Sequence, residues 1–216
     1  MVSIGSLEIT TVVNGRWREN CYLIATPQGD AIIVDPGSAA EEIMARVDTG
    51  GWRVHAIVNT HAHYDHIGAV APLMERYQAP FYLHSSDEML LKRANLYRML
   101  FESRDPVKVP TITHDIATLP ETFEAGPFRI TWIATPGHTD GSVCLRIENY
   151  LFSGDTLMRN TVGRTDLPGG NREKLLDSIR KLMELPGDTI VCGGHHERTT
   201  IAAEFSPGAR VRSLLQ

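Results

Sequence analysis

Residues 60–66 place three imidazoles and a carboxylate within seven positions, directly after the apolar run at residues 54–58. His61 and His63 are two residues apart, so their side chains point the same way in an extended segment but diverge by roughly 200° on a helix. The segment is therefore predicted to be a loop at the end of a strand. Because imidazole and carboxylate are favoured ligands of Zn²⁺ and similar divalent ions, we expect a metal site here.

Three further polar residues follow strand-like apolar runs in the second half of the chain: His138, Asp155 and His195. Each is preceded by glycine, which lets the backbone approach a metal or substrate closely. One four-coordinate ion cannot use so many donors, whereas two ions that share a carboxylate and a water can. Such a pair lowers the pKa of the shared water and suits hydrolysis of esters, thioesters or amides. The seven candidate ligands are His61, His63, Asp65, His66, His138, Asp155 and His195.

Composition narrows the classes of protein to consider. At 216 residues without a proline- or serine-rich linker, the chain is expected to form one domain over residues 1–216. The net charge of −5 and the scattered basic residues argue against nucleic acid as a partner, and no apolar stretch is long enough to span a membrane. Cys21, Cys144 and Cys192 lie in apolar surroundings typical of buried thiols in a reducing compartment. We expect a cytoplasmic protein that acts on a small molecule.

Apolar periodicity divides the chain into two halves with the same plan of strands followed by helix and strand. In the first half, Ser38 is expected to cap a helix, and the ligand loop leads directly into another helix. Two sheets packed face to face with helices outside would bring the ligand-bearing strand ends to one edge, which predicts an α/β (α+β) fold. The predicted strands cover residues 7–13, 21–25, 31–34, 54–59, 81–84, 128–134, 143–147, 150–152 and 189–192, and the predicted helices cover residues 39–47, 66–78, 87–101 and 175–183.

Several motifs together resemble a known family. Residues 60–66 fit the pattern THxHxDH, residues 135–139 read TPGHT, residues 152–157 read FSGDTL, and Gly194-His195 precedes Thr199-Thr200. In this order they resemble the metallo-β-lactamase superfamily, and within it the short single-domain members of the hydroxyacylglutathione hydrolase (glyoxalase II) group. The resemblance implies a four-layer αββα sandwich, two divalent ions such as Zn²⁺, Fe or Mn, and cleavage of thioesters of glutathione such as S-lactoylglutathione.

The resemblance also implies residue roles. His61, His63, His138 and Asp155 would hold the first ion, and Asp65, His66, His195 and Asp155 would hold the second. Asp65 would accept the proton of the attacking water, and Arg164 would contact glutathione. Two points stay open: Arg164 can instead pair with Asp166, and His196 can replace His195 as a ligand. We prefer His195 because it directly follows the flexible pair Gly193-Gly194.

Other functions share part of this pattern. A persulfide dioxygenase would use a single iron on His61, His138 and Asp155 to oxidise glutathione persulfide, and a lactonase or β-lactamase would share the paired ions. A non-catalytic metal-binding module predicts a missing ligand, whereas all seven are present. Outside the ligand set, Asp35 is expected to brace the loops, and Tyr97, Met99 and Phe101 are expected to pack on the core rather than cover the site.

Overall fold

The structure, a computed structural model, describes residues 6–103 and 105–215, and within these it contains two six-stranded sheets and a short ribbon. The first sheet contains, in spatial order, β1 (Glu8–Asn14), β2 (Glu19–Ala25), β3 (Asp30–Val34), β4 (Arg53–Val58), β5 (Phe81–Leu83) and β6 (His114–Asp115). The second contains, in spatial order, β14 (Thr199–Thr200), β13 (Ile190–Gly193), β10 (Tyr150–Gly154), β9 (Val143–Ile147), β8 (Phe128–Ala134) and β7 (Thr122–Ala125). The ribbon pairs β11 (Leu157–Met158) with β12 (Thr161–Val162).

Helices cover the outer face of each sheet. Against the first sheet pack helices from the first half of the chain: α1 (Ala40–Gly50), α2 (Tyr64–Ile67), α3 (Val70–Tyr77), α4 (Glu88–Lys92) and α5 (Ala94–Phe101). Against the second sheet pack helices from the second half: α6 (Arg172–Leu182), α7 (Ile201–Phe205) and α8 (Arg210–Ser213).

The alternation of side chains along each strand divides the core into layers. In β3, Ile33 packs against the helices, while Ile32 faces the second sheet. In β10, Leu151 packs against α6, whereas Phe152 lies between the sheets. Strands buried on both faces read as continuous apolar runs, and burying each large side chain contributes about 1.5–3 kcal/mol. The order helix, sheet, sheet, helix confirms the predicted αββα sandwich.

Four strands deliver the predicted ligand segments to one edge of this sandwich. β8, β10 and β13 run in the same direction in the second sheet, and β4 ends beside them from the first sheet. The backbone joins the two sheets at this edge, because Val143 N donates to Thr60 O at 2.9 Å. Within the second sheet, Gly194 N donates to Gly154 O at 2.7 Å. The loops that follow these strands therefore meet.

Some predicted elements are wrong in detail. Ser38 does not cap α1; its backbone N and hydroxyl contact Asn14 Oδ1 instead, at 2.6 and 3.4 Å, and Ala39 takes the cap position. The predicted helix over residues 66–78 is broken between α2 and α3, because Ala69 N donates to Pro36 O at 3.1 Å rather than continuing the helix. The helix predicted over residues 87–101 is likewise divided at Arg93 into α4 and α5.

Two other expectations can be compared with the described residues. The three cysteines are all buried and free, as predicted from their apolar surroundings. Among the described helices, none combines the length and the apolar character that a membrane crossing requires.

Candidate metal centre

The loop that follows β4 is held by a buried carboxylate. Asp35 Oδ1 accepts a hydrogen bond from Thr60 N, and Asp35 Oδ2 accepts one from the Thr60 hydroxyl, both at 2.7 Å. The same hydroxyl lies 3.0 Å from His61 Nδ1, so it can accept the proton of that nitrogen while donating to Asp35. Asp35 therefore braces the loop, as predicted, and turns His61 Nε2 toward the centre of the site.

A first cluster of donors comes from both halves of the chain. One nitrogen each of His61, His63 and His138 lies within 4.8 Å of the others, and all three residues are buried. His138 Nδ1 donates to the carbonyl oxygen of Arg164 at 2.8 Å, which leaves the lone pair of Nε2 free. That Nε2 lies 2.7 Å from His63 Nδ1, so the two rings converge on one point.

A second cluster lies beside the first. Asp65, His66 and His195 bring one donor atom each within 4.8 Å of the others. His195 Nδ1 donates to Trp17 O at 3.0 Å, which directs His195 Nε2 toward Asp65 Oδ2 at 3.6 Å. His66 Nδ1 faces Asp35 Oδ2 at 3.4 Å, and its Nε2 points into the cluster. Each ring is thus oriented by a contact on its outer nitrogen.

Asp155 lies between the two clusters and contacts both. Its Oδ2 is 3.5 Å from His138 Nε2 and 3.6 Å from His195 Nε2, while its Oδ1 is 3.6 Å from His66 Nε2. Ligand bonds of about 2.0–2.2 Å in a tetrahedron separate donor atoms by about 3.4 Å, close to these distances. Among the described residues, the inner atoms His61 Nε2, His66 Nε2 and Asp155 Oδ1 are buried without a hydrogen-bond partner. A bound cation would supply the missing partner for these converging buried atoms.

Burial and neighbouring charges shift the pKa values of this site in opposite directions. Burial raises the pKa of Asp155, but the nearby rings of His195 and His138 outweigh it and lower this pKa to about 2. Burial and the neighbouring histidines hold the pKa of His61 well below its ordinary value. For His66 burial acts in the same direction, yet the carboxylates of Asp65 and Asp35 raise its pKa well above normal. Asp155 is therefore charged, and His66 would have to lose a proton to bind an ion.

Glycine is required where the backbone passes close to these donors. A Cβ atom on Gly194 would lie 2.3 Å from Asp155 Oδ1 and 2.8 Å from His66 Cε1. Gly154 adopts a φ of +47°, and a Cβ there would lie 2.2 Å from the Thr60 hydroxyl. Neither position tolerates a larger residue without displacing a candidate ligand or its brace.

Asp87 is a residue of this site that the sequence did not reveal. Its Oδ2 accepts hydrogen bonds from Ala62 N at 3.0 Å and from the Thr139 hydroxyl at 2.8 Å, and its Oδ1 accepts one from Gly141 N at 2.7 Å. Ala62 separates two of the candidate ligands, His61 and His63, and Thr139 follows a third, His138. One buried carboxylate therefore ties together ligand loops from both sheets. The only signal in the sequence was an aspartate at the start of a helix, which is usually a cap.

The predicted ligands gather, while the other histidines lie elsewhere. His196 has an exposed side chain and a φ of +67°, so His195 is the histidine that faces Asp155. His55 contacts Asp30 at 2.7 Å, far along the strand from the ligand loop. His84 and His114 are also outside both clusters.

A cavity of about 330 Å³ opens above the donors. Its walls include Tyr64, Phe101 and Leu167, with Arg164 at one side. The expectation that α5 packs on the core is correct for Tyr97 but wrong for Phe101, which stacks on Tyr64 at 6.4 Å and lines the cavity. It is also wrong for Met99, whose side chain is 53% exposed, because α5 follows a break and turns this face outward.

Arg164 pairs with Asp166, which is one of the two interpretations that its sequence position allowed. Its Nε and Nη2 each contact a carboxylate oxygen of Asp166 at 2.7 Å, and this pairing lowers the pKa of Asp166 to about 2. The same arginine lines the cavity, and its Nη1 has no hydrogen-bond partner among the described residues. The ion pair therefore leaves one donor of the guanidinium available to a bound molecule.

Comparisons with known proteins agree with this architecture. The family model described as Metallo-beta-lactamase superfamily matches residues 14–195. The probable metallo-hydrolase YqgX of Bacillus subtilis is 36% identical over 88% of this chain and 90% of its own length. The hydroxyacylglutathione hydrolase GloC of Haemophilus influenzae is 32% identical over 87% of this chain and 90% of its own.

Solved structures show the same fold. The B3 metallo-beta-lactamase BLEG-1 superposes with a TM-score of 0.88 at 34% identity, covering 94% of this chain and 99% of that one. TTHA1623, solved in a di-iron-bound form, superposes with a TM-score of 0.82 at 36% identity, covering 91% of this chain and 97% of that one.

Proposed function

The chain belongs to the metallo-beta-lactamase superfamily, and we propose that it is a hydrolase that uses two divalent ions to cleave thioesters. The observation that carries this proposal is the position of Asp155 between two clusters of three donors each. Its two carboxylate oxygens lie 3.5–3.6 Å from nitrogens of both clusters. This arrangement suits a carboxylate shared by two ions and leaves none of the seven predicted ligands without a role.

The donor set fits hard or borderline divalent ions. His61, His63 and His138 would hold the first, Asp65, His66 and His195 would hold the second, and Asp155 would contact both. When bound, the two ions would lower the pKa of a water molecule and polarise the substrate carbonyl. Imidazole and carboxylate accept zinc, iron or manganese, and we propose zinc as the ion. The di-iron form of the similar protein TTHA1623 makes iron the alternative to test.

The remaining chemistry belongs to side chains of this chain. Asp65 lines the cavity with its Oδ2 turned toward His195, so it can accept the proton that the attacking water loses. The water oxygen forms the new bond to the carbonyl carbon, the carbon–sulfur bond breaks, and the proton passes to the departing thiolate. The products are a carboxylic acid and a thiol. Tyr64, Phe101 and Leu167 exclude water from one wall of the cavity.

Glutathione thioesters such as S-lactoylglutathione are the proposed substrates. The similarity to the hydroxyacylglutathione hydrolase GloC supports this choice. Arg164 supports it as well, since a guanidinium at the wall of the cavity suits a glutathione carboxylate. The free Nη1 of Arg164 is the donor that would make this contact.

The experiment measures S-lactoylglutathione hydrolysis and counts bound metals on the same purified protein. We expect two ions per chain and thioester cleavage, both lost in Asp155→Ala. Asp140→Ala is the matched control. Asp140 lies on the loop that follows His138, and its exposed side chain pairs with Lys174. One iron per chain with oxygen uptake and no hydrolysis would instead identify a dioxygenase.

A β-lactamase is the second candidate, favoured by the similarity to BLEG-1. The same donor arrangement would act on the amide carbonyl of a lactam ring. Nitrocefin hydrolysis measured beside the thioester assay distinguishes the two functions. Hydrolysis of the lactam without hydrolysis of S-lactoylglutathione would replace the proposed substrate class.

A further inference from the structure

A groove larger than the cavity adjoins it at the end marked by His195. The groove has a volume of about 650 Å³, and its lining includes Trp17, Arg18, Asn160 and Arg159. Trp17, His195 and His196 line both the groove and the cavity, so the two form adjoining parts of one depression. Both volumes lie within the range of roughly 300–1,000 Å³ typical of small-molecule sites. The mechanism proposed above uses only the smaller part.

The two ends of this depression differ in chemistry. Near His138, the cavity has apolar walls and a single arginine, Arg164, which is held by Asp166. Beyond His195, the groove is lined by two arginines, one glutamate (Glu197) and two asparagines. One asparagine, Asn20, donates to the backbone carbonyls of Gly193 and His196. Arg18 thus offers a guanidinium for an anionic group beside His195, whereas the backbone of Arg164 contacts His138.

The charge in the groove is available to a ligand. Among the ion pairs of residues 6–103 and 105–215, none includes Arg18. Arg159 contacts Glu197, but both side chains are exposed, and such surface pairs are weak. A carboxylate in the groove can therefore pair with Arg18 without breaking a strong internal contact.

We propose that the groove binds a carboxylate at the far end of the substrate's acyl chain. This inference rests on the proposed function, in which Arg164 holds glutathione and the thioester carbonyl lies over the ligands. The acyl group then extends past His195 and Trp17 into the groove. A lactoyl group has no second carboxylate to place in the groove, whereas a longer dicarboxylic acyl group has one that can pair with Arg18. The preferred substrates are accordingly thioesters with a long, anionic acyl group.

Three glutathione thioesters test this substrate class: S-lactoyl, S-hexanoyl and S-adipoyl. The adipoyl and hexanoyl groups have the same length and differ in one terminal carboxylate. We expect wild-type kcat/KM to be about fivefold higher for the adipoyl thioester, the size of an exposed ion pair. Arg18→Gln should bring this ratio close to one. Arg16→Gln is the matched control, because Arg16 belongs to the same turn but stacks on the Trp17 ring at 5.6 Å and does not line the groove.

Calorimetry tests the groove without turnover. Adipate and hexanoate each carry one carboxylate for the metal-loaded centre, and only adipate has a second for the groove. Adipate should bind the wild type about fivefold more tightly than it binds Arg18→Gln, with no such difference for hexanoate. Equal binding of the two acids by wild type would overturn the proposal even if no thioester is cleaved.

The remaining outcomes separate the two proposals. If Arg18→Gln slows all three thioesters by the same factor, the groove holds the glutathione half and the acyl assignment is wrong. If the wild type cleaves S-lactoylglutathione but does not prefer the adipoyl thioester, only the groove assignment fails. If no thioester is hydrolysed, the proposed function fails, and adipate binding alone decides the groove.

Discussion

Replacing Asp87 by asparagine tests how the two sheets hold the centre together. The carboxylate accepts three hydrogen bonds, whereas the amide of asparagine can accept at most those on one oxygen. The NH₂ group then replaces one carboxylate oxygen and faces a hydrogen-bond donor. The simplest arrangement places it against Gly141 N. A lost bond to a charged acceptor costs about 1.5–3 kcal/mol. Burial raises the pKa of Asp87, so the neutral amide is cheaper to bury and offsets part of this cost. We expect a net loss of about 1–2 kcal/mol in the free energy of unfolding.

Metal affinity should fall as well, because Asp87 fixes the loops on both sides of the centre. Loss of a partner that orients ligands typically weakens metal binding by about 10–100-fold. Urea unfolding of the metal-free protein measures the stability, and competition with a chromophoric chelator measures the affinity. Together, these two measurements distinguish a specific effect of Asp87 on the ligand loops from a general loss of stability.

Asp115→Asn supplies the matched control. Asp115 Oδ1 accepts hydrogen bonds from Ser85 N at 2.9 Å and from Ala117 N at 3.0 Å, at the end of β6, which is separated from β4 by β5. Its replacement should cost a similar free energy of unfolding and leave the metal affinity unchanged. The reasoning is refuted if Asp87→Asn is destabilised but binds both ions as tightly as the wild type.

Three further predictions concern the centre and its cavity. Gly194→Ala should weaken metal binding about tenfold or more by displacing Asp155, while Gly187→Ala, at an exposed turn, should not; chelator competition compares them. The pKa of His66 is raised, and an ion binds only its neutral ring, so metal binding should release a proton and weaken as the pH falls. Calorimetry in two buffers of different ionisation enthalpy detects the released proton. Metal binding without proton release would contradict this prediction. Arg164→Gln should raise the KM for S-lactoylglutathione about fivefold, and Asp166→Asn should not; equal effects would mean that the ion pair only holds the loop.

The sequence predicted which residues gather at the candidate metal centre because they follow strands. Residues 60–66 come directly after β4, and Asp155 comes directly after β10, so the ends of strongly apolar runs located them without knowledge of long-range contacts. The two-layer sheet arrangement followed from the same apolar runs.

Features that depend on tertiary contacts were not predictable from local patterns. Ser38 is a good capping residue by type, but Asn14 competes for its hydrogen bonds from another strand. At the break before α3, Ala69 N donates to Pro36 O, and Gly68 packs against the carbonyl oxygen of Gly37, where a Cβ would lie 2.8 Å away. Short strands such as β7 have too few residues to show a period. Asp87 acts across both sheets, so only their packing reveals its role.

Anomalous scattering from crystals of the metal-loaded protein tests the central claim most directly. Two peaks should appear, one against His61, His63 and His138 and the other against Asp65, His66 and His195, with Asp155 in contact with both. Asp155→Ala crystals grown in the same metal should lose at least one peak. A single fully occupied peak in the wild type, or two peaks without Asp155 between them, would contradict the account.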